Sequence, residues 1–151
     1  MPDSSFDVRG HTAVITGGSG VLGSVMAFTL AKAGVRVAVL SLHAASSAKV
    51  VEAIRKDGGE ALGIAGDVMD RADLERACTE VLNNFGHIDI LINAAGGNSP
   101  QATTSANTSF FDLDVHAIDS VLGLNFTGTF LSCQIFGHDM ARRKQGVIVN
   151  Q

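Results

Sequence analysis

Residues 16–23 read Thr-Gly-Gly-Ser-Gly-Val-Leu-Gly, with Gly18, Gly20 and Gly23 at GxGxxG spacing. Glycines in that pattern meet three physical needs: a tight turn, close approach of a pyrophosphate to the backbone, and close packing of a helix on a strand. The free N–H groups that open such a helix then face the anion. Gly17, Gly18, Ser19, Gly20, Val21, Leu22 and Gly23 are therefore candidate dinucleotide contacts. A P-loop would need Lys and then Ser or Thr after the second glycine of GxxxxG, but Ser24 and Val25 follow Gly23. A methyltransferase-type site would usually carry an acid at the end of the first strand, where Thr16 stands.

The motif has this meaning only between a strand and a helix, and the flanking residues predict both. Residues 12–16 form a short β-branched run that stops at the glycines. Val21, Leu22, Val25, Met26, Leu30 and Ala33 then recur at helical spacing before Gly34. Further strands are expected over residues 35–40, 61–65, 88–92 and 146–149, and helices over 44–56, 70–85 and 114–143. Asp70 is the expected N-cap of its helix, with Asp73 at capping-box distance. Residues 96–107 form the one long polar loop, a length that is usually functional or disordered. Strands alternating with helices imply an α/β fold of Rossmann type, a doubly wound parallel sheet with helices on both faces. Residues 1–151 are read as one dinucleotide-binding domain.

Composition narrows the classes. The chain has 151 residues, 46% hydrophobic and 17% charged, which excludes disorder. It contains no run of about 18 uncharged apolar residues, so no membrane partner is expected. Fifteen acids against eleven bases give a net charge of −4, which disfavours nucleic acid. The first ten residues carry no secretory pattern, so a cytoplasmic location is expected. Cys78 and Cys133 are read as small buried apolar residues. Asp112, Asp114 and His116 alternate, but a helix-capping loop explains them and no metal is expected.

Four features in order resemble the short-chain dehydrogenases/reductases: residues 16–23, Asp67-Val68, Asn93-Ala94-Ala95-Gly96, and Asn125 in the long fourth helix. The resemblance covers residues 6–150. It implies that Asp67 hydrogen-bonds the adenine amino group beside the Val68 backbone. Asn93, Ala94, Ala95 and Gly96 would line the adenosine and nicotinamide-ribose side, and Asn125 would match the asparagine of the catalytic tetrad. Val21 replaces the middle glycine of the family's commonest pattern. That variant, with the polar stretch 97–100 and the Phe-Phe-Asp-Leu-Asp segment 110–114, is similar to a branch of D-mannonate (fructuronate) oxidoreductases. A small carbonyl or alcohol, such as a sugar acid, is the implied substrate.

The family's mechanism also uses a Ser, a Tyr and a Lys four residues after the Tyr. The chain has no Tyr, and neither Lys32, Lys49, Lys56 nor Lys144 stands in that pattern. The resemblance therefore implies the cofactor portion of an NAD(P)-dependent oxidoreductase, lacking C-terminal strands and inactive alone. A non-catalytic dinucleotide-binding or interaction module is the alternative. The fifth strand would be left as an edge, which invites pairing and a homo-oligomer. NAD selection usually needs an acid about 20 residues past the glycine turn. Ser41, Leu42 and His43 occupy that place, and no Arg or Lys lies within residues 41–46. Ser19, Ser41 and His43 would then meet a 2′-phosphate, so NAD or NADP is expected, with a lean to NADP.

Overall fold

A computed structural model describes residues 7–151. Residues 1–6, and with them part of the reading of the first ten residues, lie outside the described residues. The elements are β1 (Thr12–Thr16), α1 (Val21–Lys32), β2 (Arg36–Ser41), α2 (Ala44–Lys56), β3 (Ala61–Ala65), α3 (Arg71–Phe85), β4 (Ile90–Asn93), α4 (Val115–Leu122), α5 (Gly128–Arg143) and β5 (Val147–Asn150). The five strands are parallel, in the order β3-β2-β1-β4-β5. The expected Rossmann-type α/β fold is present, and the strands at 35–40, 88–92 and 146–149 each shift by one or two residues.

Alternation along the strands sends side chains into two cores. Ala13, Ile15, Val37 and Val39 pack with Ala27 and Ala31 of α1 and Val50, Val51 and Ile54 of α2. Val14, Ala38, Leu40 and Leu91 face the other way, onto Leu74, Ala77 and Val81 of α3 and Ile135, Phe136 and Met140 of α5. β1 is buried along its whole length, as a central parallel strand covered on both faces must be.

The α1 packing corrects the sequence reading. The helix buries Gly23, Ala27 and Ala31, whereas Val21, Leu22 and Val25 are exposed, Val21 at 86%. Small residues at i, i+4 and i+8 let the helix lie close on the sheet, and close approach outweighs side-chain bulk there. Asp70 caps α3 through the Ala72 N–H at 2.8 Å, but Asp73 closes no capping box. Its carboxylate accepts instead from the Asp67 N–H at 2.9 Å, because the Asp70 N–H is already bonded to the Asp67 carbonyl. The helix expected over residues 114–143 contains a π-helical stretch, Gly123–Thr127, between α4 and α5. Both cysteines are half-buried rather than buried.

At the N-terminal ends of the strands a buried ionic clamp ties α5 to the sheet. Asp139 accepts from the Ile88 N–H at 3.2 Å and from Arg142 and Arg143 at 2.9 Å each. Asp89 accepts from the Thr12 N–H at 2.9 Å and pairs with Arg143 at 3.2 Å. Arg143 also donates to the Ile88 carbonyl. Among the described residues, no helix is long and apolar enough to cross a membrane.

Candidate functional site

At the opposite pole, the C-terminal ends of β1 to β4 open a cleft of about 260 Å³. Its lining includes Gly17, Gly20, Ser41, Leu42, Asp67, Val68, Ala94, Ala95 and Gly96 of the sequence-derived candidates. Gly18, Ser19, Val21, Leu22, Gly23, His43, Asn93 and Asn125 lie outside that lining, and Leu40, Gly66 and Leu124 join it without a local sequence signal.

The glycine turn separates its members by task. Gly17 has φ +64°, and a Cβ there would stand 2.6 Å from the Ala94 carbonyl oxygen. Gly18 is wedged between the Ile15 carbonyl and Val39, and a Cβ on Gly23 would collide with the Gly17 carbonyl. Gly20, the α1 N-cap, would meet only the Gly17 oxygen, at 3.2 Å. It is thus the position where a ligand backbone approach costs least. No side chain caps α1, so its first N–H groups have no side-chain acceptor, and the helix opens next to Gly17 and Gly20 of the cleft lining. That arrangement fits a pyrophosphate.

Around it, Ser41 is 5% exposed and its Oγ has no hydrogen-bond partner among the described residues. A buried hydroxyl without a partner is costly unless a ligand supplies one. Leu42 is exposed, and His43 is the exposed N-cap of α2. Asp67 accepts from the Met69 N–H at 2.8 Å, so one carboxylate oxygen braces its own turn. Thr16 Oγ1 accepts from the Ala95 N–H at 3.2 Å and fixes the loop leaving β4. Asn93 is buried and donates from Nδ2 to Asn150 Oδ1 at 2.8 Å and Cys133 Sγ at 3.3 Å. It braces β4 against β5 and α5.

Asn125 sits in the π-helical stretch. Its Nδ2 donates to the Gly97 carbonyl at 2.7 Å and the Val121 carbonyl at 2.8 Å, while its Oδ1 accepts from the Gly97 N–H at 3.3 Å. Gly96 has no room for a Cβ, which would lie 2.6 Å from that Oδ1. One side chain therefore pins the loop after β4 by both backbone groups of Gly97. Close by, Asp73 is held below the ordinary carboxylate range, first by the Asp67 N–H and then by Arg76. Asp114 caps α4 through the His116 N–H at 3.0 Å.

Residues 11–151 match the family model described as short chain dehydrogenase. The chain belongs to that family. An uncharacterized oxidoreductase of Bacillus subtilis (strain 168), UxuB, is 45% identical over 95% of this chain, which spans 55% of the relative. D-threitol dehydrogenase of Mycolicibacterium smegmatis is 34% identical over 98% of the chain and 54% of its own length. A solved structure from Haemophilus influenza with bound NAD, named provisionally as a D-mannonate oxidoreductase, superposes with a TM-score of 0.83 at 33% identity. It covers 90% of this chain and 52% of that one. The chain thus spans about half the length of the relatives it matches.

Proposed function

We propose that residues 1–151 form the dinucleotide-binding domain of an NAD(P)-dependent oxidoreductase acting on a small carbonyl or alcohol, with the sugar acids fructuronate and mannonate as substrates. The observation that carries this reading is the cleft itself: uncapped α1 amides, Gly17 at positive φ, and an unpartnered Ser41 hydroxyl converge on one site. The sugar-acid choice is supported by the similarity to the D-mannonate oxidoreductase-like structure and to a polyol dehydrogenase.

When bound, the nicotinamide dinucleotide supplies or accepts the hydride. The residues of this chain do the holding. The α1 amides and Gly20 take the pyrophosphate, Ser41 the adenine ribose, and the free oxygen of Asp67 the adenine amino group. Ala94, Ala95 and Gly96 bound the nicotinamide side, and Asn125 fixes that wall from behind. A phenol to move the substrate proton is not among these residues, since the chain has no Tyr. The 151 residues therefore bind the dinucleotide without turning it over. Exposed Leu122, Phe126 and Phe130 support assembly as a homo-oligomer.

The test compares the 151-residue chain with a protein extended to the length of its relatives. Calorimetry should show NADH or NADPH binding by both, and fructuronate-dependent oxidation of NAD(P)H by the longer protein alone. Failure of the longer protein on every carbonyl tried, with binding intact, would favour a non-catalytic dinucleotide-binding module.

A further inference from the structure

We infer that Gly128, the first residue of α5, is a positioning residue for the adenine side of the cleft and acts through Val68. This role rests on the dinucleotide reading proposed above and adds what holds the wall against which the base lies. Nothing in the backbone asks for glycine at 128. Its φ of −60° and ψ of −43° are ordinary right-handed helix, where alanine is the better helix former.

The reason lies in what packs on the helix. A Cβ at 128 would stand 2.7 Å from Val68 Cγ2, 3.3 Å from Val68 Cβ and 3.7 Å from the Val68 carbonyl oxygen. The missing side chain is thus the seat of Val68, a buried residue that also lines the cleft. Val68 cannot yield cheaply, because a β-branched side chain is stiff at χ1. Its turn is also tied on the α3 side. The Asp67 N–H donates to Asp73 at 2.9 Å, the Met69 N–H to Asp67 Oδ1 at 2.8 Å, and the Asp70 N–H to the Asp67 carbonyl at 3.0 Å. A methyl group on residue 128 must therefore move the turn and the cleft wall together.

Gly123 supplies the contrast. It accepts the Gly128 N–H, the bond that closes the π-helical stretch, and it meets the same turn. A Cβ there would touch only the end of the Met69 side chain, with Cε at 3.1 Å. Met69 is exposed and flexible, so that contact can give way. Between these two glycines Asn125 holds Gly97 by both backbone groups. One short stretch of helix therefore seats both walls of the cleft, Val68 on the adenine side and Gly97 beyond Gly96 on the other.

The test is calorimetric titration of the chain and its variants with NADH and with ADP-ribose, which keeps the adenine half and lacks the nicotinamide. Gly128→Ala should weaken both ligands by the same factor, about tenfold, the scale of an overpacked contact. Gly123→Ala, the same change against a yielding neighbour, should leave both within about twofold. In a Val68→Ala background, which lacks the Cγ2 that the new methyl would strike, adding Gly128→Ala should alter ADP-ribose affinity by less than about twofold. That pair of variants decides the question even where Gly128→Ala alone does not fold. Unchanged ADP-ribose affinity in Gly128→Ala, a loss confined to NADH, or a full loss kept in the Val68→Ala background overturns the inference. A wild-type chain that binds neither ligand overturns the dinucleotide reading itself, a distinguishable result.

Discussion

The two flanks of the sheet are built from the same kinds of residue and end in opposite environments. On one flank β1 and β2 lie between α1, α2 and α3, and Val14, Ile15, Val37 and Val39 are fully buried. On the other, β5 carries Val147, Ile148 and Val149 at 51%, 38% and 47% exposure. A β-branched run is buried only where helices cover both its faces and strands flank both its edges, conditions that its own sequence does not supply. The glycine turn belongs to the first flank and is over-determined by packing. Asn93, Cys133 and Asn150 belong to the second, where one face of the sheet stays open.

The largest expected effect sets the two flanks directly against each other. Leu91→Ala, in fully buried β4, should cost about 3 kcal/mol, whereas Ile148→Ala should cost under about 1 kcal/mol in urea denaturation. Equal losses would mean that β5 is covered in solution by another chain. Next comes the turn: Gly17→Val must hold a β-branched side chain at φ +64° against the Ala94 carbonyl. A loss of about 2 kcal/mol and of dinucleotide binding is expected, and a variant that binds normally would displace Gly17 from the site.

The smallest effect concerns the clamp that joins the flanks. Burial works to raise the Asp139 carboxyl, but Arg142, the Ile88 N–H and Arg143 outweigh it and hold it below the ordinary range. A carboxyl depressed in the folded state contributes stability that is complete above its unfolded pKa of about 3.9 and is lost as pH falls through the lower folded value. Asp139→Asn should flatten that acid limb in urea midpoints measured from neutral to acid pH. Parallel curves for the two proteins would show that the clamp does not report on pH.

Much of the fold was legible because strands and helices alternate with clear stop signals, as at Gly34. The reading failed where packing distance outranked bulk, in α1, whose large aliphatics point away from the sheet while Gly23, Ala27 and Ala31 touch it. Periodicity finds an apolar stripe but cannot tell which of two stripes has room. The half-buried Cys78 shows the same limit: its thiol is pushed up to about 11 by burial first and by Asp139 second, an acid 61 positions away.

By itself the sequence determined the order of elements, the parallel sheet and the identity of the glycine turn, because these follow from local φ/ψ needs and short-range periodicity. It also determined that no phenol is available here. Only the tertiary structure decided which residues share the cleft. Ser41, Gly66, Ala94 and Leu124 come from separate segments, and Asn125 reaches back 28 residues to Gly97. Those contacts depend on strand order and helix placement, which minimise exposed apolar area over the whole chain rather than along any one stretch of it.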